Sequence, residues 1–372
     1  MKQYAKKFYT ILLIILTLFI VIGCGSQSSA KINYLKTGNS FNQNEVDLIF
    51  LHTKIFPENT QLSIAKIQNG SVYFYGVLRR DDIIETIENY DKVFEIGSLT
   101  KLFTSTLLTN LVLEEKLKLD DTIHEKSNIL LNQNPRITYK QLANHTSGAP
   151  RWPTFWFRYL TNNPFKNYDY KRLEDDLKFD LKLNNKPGEV YSYSNYGVSA
   201  LGYALSKIEN RSYEDLIQEK ILSKLNMKST TTIRKNIQTN LVIGLDENGN
   251  HADNWDMIAF ESAGAILSSV EDLSKFANAS FDHSNKAFKL TQIPSFWKND
   301  HFGVGLGWHI SKTDYSETLH WHNGATGGYI SSIVLDIKNK NGIIILSNVS
   351  LFNKNNKNIE ELGLNLLKLM YK

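Results

Sequence analysis

Apolar and polar positions alternate over residues 61–78, where Leu62 and Ile64 precede Asn69-Gly70 and Val72 and Phe74 follow it. Alternation around an Asn-Gly pair predicts an antiparallel hairpin. From Leu99 to Val112 the period changes: Leu99, Leu102, Phe103, Leu107, Leu108 and Leu111 recur at spacings of three and four, which predicts a helix. Helical patterns and loops fill roughly 105–280, including 198–225 with Leu201, Leu205 and Ile208. Strand patterns return at 303–310, 318–322, 328–337 and 343–349, with Asn341-Gly342 as a second hairpin turn. A closing helical pattern carries Ile359, Leu362, Leu366 and Leu369. Strands at both ends with helices between predict an α+β fold. One antiparallel sheet is built from the two chain ends and flanked by helices, with a mainly helical insertion. No internal repeat or interdomain linker divides the pattern.

The first segment follows a different rule. Lys2, Lys6 and Lys7 precede an uncharged run of 16 residues, Phe8 to Gly23, which ends in Val21-Ile22-Gly23-Cys24. A basic stretch, an apolar run and a small residue are the order of a secretory signal. The run is short for a membrane-spanning helix of about 20 residues. Val21–Cys24 resembles a bacterial lipobox, and Cys24 is the only cysteine in the chain. That resemblance implies cleavage before Cys24, a lipid on its sulfur, and export to the bacterial cell envelope. An uncleaved anchor helix is the alternative. The polar stretch 25–45 lacks apolar periodicity and reads as a tether. The expected division is a signal over 1–23, a lipidated Cys24 and tether over 24–45, and one folded domain over 46–372.

Composition narrows the partners. The formal net charge is +4, and without the three lysines of the signal 39 basic residues face 38 acidic ones, a net of +1. That balance excludes an electrostatic footprint for nucleic acid. A hydrophobic content of 42% supplies enough apolar surface for a packed core, which excludes a disordered chain. A single cysteine excludes an intrachain disulfide.

The candidate nucleophile is Ser98 in Ile96-Gly97-Ser98-Leu99-Thr100-Lys101. Ser98 opens the helix, and Lys101 follows on the same face one turn later. A hydroxyl attacks only when a base takes its proton, and a lysine serves only when its charge is disfavoured. A helix N-terminus depresses the amine and favours a developing oxyanion at the Ser98 N–H. The same spacing occurs at Ser28–Lys31, Ser63–Lys66 and Ser295–Lys298, but only Ser98 opens an amphipathic helix behind a glycine. The bland alternative is a serine that caps the helix.

Two further stretches add chemistry. Tyr193 and Asn195 stand two apart in the turn-rich segment 187–197, a phenol able to move a proton and a carboxamide able to bind an amide. The segment His320–Tyr329 ends a strand in glycines, where backbone N–H groups approach a ligand closely.

Ser98-x-x-Lys101, Tyr193-x-Asn195 and His322-x-Gly324, in that order, resemble the three motifs of the serine β-lactamase and penicillin-binding-protein superfamily. The nearest subgroup is the class C β-lactamase-like proteins, which include D-alanyl-D-alanine carboxypeptidases and esterases. Residues 113–123, 142–150, 187–201, 262–276 and 303–308 carry further likeness. The resemblance implies an antiparallel sheet beside a helical region, with the site in the crevice between them. It implies Ser98 as the acylated nucleophile, Lys101 as its proton partner and Tyr193 as general base or acid. It implies Asn195 as the substrate-amide ligand and the N–H groups of Ser98 and Ala325 as an oxyanion hole. No cofactor is implied. The expected partners are a small peptide, β-lactam or ester substrate and, through the lipid, the membrane; the expected state is a monomer.

The third motif departs from the Lys-Thr-Gly usual in β-lactamases proper. An imidazole with the ordinary pKa of about 6.5 is mostly uncharged at pH 7 and holds a carboxylate less well than an ammonium. Weak hydrolysis of penicillins is expected, with affinity for carboxylates rising as His322 gains a proton. The alternatives are a true class C-type β-lactamase and a sensor module that is acylated without turnover. A zinc shared by His320 and His322 lacks a third ligand at suitable spacing. His145-Thr146-Ser147-Gly148 reads as a structural turn rather than a second catalytic serine.

Overall fold

The computed structural model describes residues 29–38, 40–154 and 162–371. The signal segment and Cys24 lie outside the described residues. Among the described residues no helix is long and apolar enough to cross a membrane.

The strands are β1 (Ile32–Tyr34), β2 (Gln61–Gln68), β3 (Ser71–Arg80), β4 (Ile83–Ile87), β5 (Phe94–Glu95), β6 (Leu267–Ser268), β7 (Phe296–Trp297), β8 (Phe302–Val304), β9 (His309–Ser311), β10 (Leu319–Ala325), β11 (Ile330–Asp336) and β12 (Asn341–Ser347). Ten of them form one sheet in the order β1-β4-β3-β2-β12-β11-β10-β9-β8-β7, while β5 and β6 pair separately. The seam β2–β12 joins the two chain ends, as the sequence pattern anticipates, with Ile64 opposite Ile345. Every residue of β11 and β12 is buried. Their continuous apolar runs follow from cover on both faces. On one face lie α1 (Gln43–Thr53) and α5 (Asn358–Leu369); on the other lie α4 (Val270–Phe281) and the helical region that holds α2 (Thr100–Leu113) and α3 (Asn195–Glu209).

Asn69 and Gly70 both adopt positive φ, 51° and 81°, between the paired residues Gln68 and Ser71. That is the geometry an Asn-Gly hairpin turn requires. Asn341-Gly342 does not turn the chain. Asn341 pairs with Asp336 and Gly342 with Leu335, and the positive φ belongs to Lys340 at 52°. The strand expected over 303–310 is also two strands. Gly305 donates to the Trp308 carbonyl and Gly307, at φ 76°, folds the connection so that β8 and β9 pair as a hairpin.

The tether expectation fails from residue 30 onward. Ala30 is buried, β1 pairs in parallel with β4, and Phe41 packs on Tyr75 with ring centroids 4.7 Å apart. Asn42 and Glu45 form a capping box at the start of α1. Glu45 also accepts from Lys66 Nζ at 2.7 Å, with both side chains buried. A polar stretch without periodicity folds here because its few apolar residues are edge packing and its acid answers a buried lysine. The folded part therefore begins near residue 30 rather than 46.

Candidate active site

The chain leaves β5 through Ile96 into a single 3₁₀ turn, Gly97–Leu99, and only then enters α2. Ser98 lies in that turn, one step before the helix that the period predicts. No side chain caps α2 by hydrogen bond, so Ser98 is not a helix cap. Its Oγ stands 2.9 Å from Lys101 Nζ, which also donates to the Ala263 carbonyl at 2.7 Å. Lys101 is completely enclosed, and burial together with the nearby Arg151 cation pushes its pKa well below the usual ammonium value. A neutral amine at that place has a lone pair able to take the serine proton.

Two glycines bring β10 against this turn. Gly97 has φ 51°, and a Cβ there would lie 2.6 Å from Ala325 N. A Cβ on Gly324 would lie 2.1 Å from Ile96 O and 2.9 Å from Ser98 N. Neither contact is tolerable, and both neighbours are backbone. Gly324→Ala should push β10 off the nucleophile turn, lowering stability by about 1–3 kcal/mol. Turnover should fall further than stability explains, because Ser98 and Ala325 separate. Thermal melting and kcat/KM on one preparation check this; unchanged turnover in a destabilised variant would refute it.

Tyr193 is held by its neighbours on both sides. The Ser192 N–H donates to the His145 carbonyl at 2.8 Å, and the Ser194 N–H donates to His145 Nδ1 at 3.2 Å. The His145 ring lies against Tyr193 with centroids 4.4 Å apart. The His145–Gly148 stretch is thus the clamp for the tyrosine. Ser147 Oγ accepts from the Ala149 N–H within that turn. Burial raises the Tyr193 pKa to about 12, with the nearby Ser98 hydroxyl acting in the opposite direction, so the side chain is a protonated phenol at neutral pH. Ser194 caps α3 through the Gly197 N–H, which sets Asn195 as the first helical residue. Asn195, Ser98, Ala325 and Ala263 line one pocket of about 40 Å³. Beside it lies a cavity of about 580 Å³, and Trp152, Phe165 and Trp255 line both.

His322 sits near the cluster but not as the sequence suggests. Its Nδ1 lies 2.7 Å from the Asn323 carbonyl, which can only accept, so Nδ1 carries the proton and Nε2 is a bare acceptor. The ring is 1% exposed and stacks on His309 at 4.8 Å. Burial first, then the neighbouring His309 and Lys101, push its pKa well below 6.5. Burial thus opposes the expected gain of charge on mild acidification at this residue. Asn323 points away, to Glu360 Oε2 at 2.8 Å. His320 is engaged elsewhere, with Nε2 3.1 Å from the Gln292 carbonyl and its ring edge-on to Trp308.

The structure thus brings Ser98, Asn195 and Ala325 to one pocket, with Lys101, Tyr193 and Gly324 clustered at Ser98 and His322 in the layer behind Tyr193. The pattern overlooks His309, which bonds the Tyr191 hydroxyl at 2.8 Å and whose pKa burial lowers to about 4. It also overlooks the Ala263 carbonyl and Arg151. Residue 263 does fall within the 262–276 stretch that carries the likeness, which is the one signal available for it.

A ten-stranded sheet covered by helices, with a serine, a buried lysine and a tyrosine clustered together, is the architecture of the β-lactamase/transpeptidase-like superfamily of serine hydrolases. The family model described as Beta-lactamase matches residues 61–367, and the chain belongs to that family. It is 27% identical over 332 residues to Protein flp of Staphylococcus aureus (strain MW2), covering 83% of this chain and 63% of that protein. The chain thus spans less than two thirds of that relative's length. A Beta-lactamase of Providencia stuartii is 29% identical over 191 residues, covering 50% of this chain and 46% of that protein. The crystal structure of a β-lactamase/D-alanine carboxypeptidase from Pseudomonas syringae superposes with a TM-score of 0.73 at 20% identity, covering 88% of this chain and 97% of that one. That likeness is one of fold.

Proposed function

We propose that the protein is an envelope-anchored serine hydrolase that forms an acyl-enzyme on Ser98, of the D-alanyl-D-alanine-carboxypeptidase or esterase type. The observation that carries this is the enclosed Lys101 amine 2.9 Å from the Ser98 hydroxyl, where burial disfavours its charge. Lys101 takes the Ser98 proton as Oγ bonds to the substrate carbonyl carbon. The oxyanion forms against the N–H groups of Ser98 and Ala325, and Asn195 holds the substrate amide. The protonated Tyr193 passes a proton to the departing amine or alkoxide as the carbon–heteroatom bond breaks, and is refilled from Lys101. Water then attacks the ester by the reverse route. The pocket at Ser98 has room for the reacting carbonyl, and the aromatic cavity beside it has room for the acyl portion.

Intact-mass measurement of the protein mixed in turn with a D-Ala-D-Ala peptide, a simple ester and a penicillin tests the reading. A transient adduct with the first two, and a slow or absent one with the third, is the expected result. An adduct that persists with every substrate would favour an acylated sensor instead, and rapid penicillin turnover a true β-lactamase. Anchoring by a lipid on Cys24 belongs to the same proposal. It is supported by the short apolar run and the lipobox-like Val21–Cys24, and the mass of the mature N-terminus tests it.

A further inference from the structure

The third motif leaves a chemical question. A site that acts on a peptide's last bond must hold a carboxylate beside the leaving nitrogen, and His322 is buried behind Tyr193, outside the residues that line the Ser98 pocket. Burial also disfavours the charged forms of Lys101, His145 and His309.

Arg151 has the opposite character. It follows the His145–Pro150 clamp, and its backbone carbonyl accepts from the Tyr196 N–H at 3.3 Å, which fixes its place beside α3. Its guanidinium carbon stands 5.1 Å from the Tyr193 ring centroid and 5.9 Å from that of Trp152. Tyr193 is the group proposed above to pass the leaving-group proton, and Trp152 lines the Ser98 pocket. The side chain is exposed, and among the described residues it makes no ion pair. The undescribed stretch 155–161 beside it contains no carboxylate that could serve as one.

We propose that Arg151 is the carboxylate-recognition residue of this site, so that the preferred substrates carry an anion on the leaving-group side of the scissile bond. The inference rests on the acyl-enzyme reading above and adds its substrate class. A guanidinium accepts no proton and offers a planar pair of donors, which matches a carboxylate in two parallel hydrogen bonds. Its place 5.1 Å from the Tyr193 ring centroid sets that cation beside the group proposed to protonate the leaving group. The charge that Lys-Thr-Gly supplies from the strand is here supplied from the loop after the clamp.

The test compares an N-acyl-D-Ala-D-Ala acid with its C-terminal amide, in the native protein and in Arg151→Gln and Arg151→Lys. The ratio of kcat/KM for acid over amide should fall roughly 10- to 100-fold in Arg151→Gln, mostly through KM, and recover in part in Arg151→Lys. An unchanged ratio in Arg151→Gln would overturn the assignment. A measurement on the native protein alone gives a second reading. N-acetyl-D-alanine should slow labelling of Ser98 by an uncharged fluorophosphonate, and N-acetyl-D-alaninamide should not; equal protection would overturn the proposal. Native protein that takes no label at Ser98 would overturn the acyl-enzyme reading itself, which separates the two failures.

Discussion

Ser98→Ala removes covalent labelling and turnover together, with a loss on the order of 10⁴-fold in kcat. The reasoning is geometric. The substitution deletes one oxygen and keeps the backbone N–H that faces the pocket. Ser98 caps no helix, so the fold loses nothing comparable to a cap. What disappears is the atom 2.9 Å from the Lys101 amine. The melting temperature of the variant should therefore stay close to that of the native protein while activity collapses. Intact mass after treatment with a fluorophosphonate or a β-lactam checks it. The neighbouring buried serines offer no easy substitute, because Ser147 Oγ is bonded to the Ala149 N–H and Ser194 Oγ to Gly197 N and the Pro150 carbonyl. Labelling that survives in Ser98→Ala would move the nucleophile elsewhere and dissolve the mechanism.

The sheet was legible where periodicity is strong. Residues 61–78 alternate because one strand pair must present apolar side chains to covered faces, and the Asn-Gly turn admits positive φ at both positions. The second Asn-Gly misleads because the same residues also sit comfortably in a strand end, where Asn341 bonds the Asn69 N–H across the sheet. Residues 30–45 were opaque for a different reason. Their burial depends on partners far along the chain, such as Lys66 for Glu45 and Tyr75 for Phe41, and local patterning does not record such partners. The same limit applies to the site. Ser98 and Lys101 are adjacent in sequence and can be read together. The Ala263 carbonyl, His309 and Arg151 reach the cluster from three other segments, and of these only residue 263 falls in a stretch that carries the likeness. The protonation of His322 was unreadable for a related reason, since it follows from burial and from a bond to its own neighbour's carbonyl rather than from residue type.

Lys101 gives the second large effect, and its sign can be worked out. In the folded protein its pKa lies well below the unfolded value, first through burial and then through Arg151. Between those two values the unfolded chain binds more protons than the folded one, so folding stability rises with pH across that interval. Lys101→Met fills similar space without a titratable group and lacks that slope. The stability of the native protein relative to Lys101→Met should therefore climb as pH goes from 7 toward 10. The catalytic consequence runs through the same proton. Lowering the pH through the depressed pKa charges the amine, and kcat/KM should fall along that limb. Lys101→Met should lose roughly 10²- to 10⁴-fold at every pH and show no such limb from this residue. Lys101→Arg should be about as damaging, because a guanidinium does not release its proton in this range and gains an enclosed charge beside Arg151. Denaturant unfolding at several pH values and a pH–rate profile supply both readings. A stability difference that does not change with pH, or an arginine variant that turns over at near-native rates, would make Lys101 a fixed charge rather than the base.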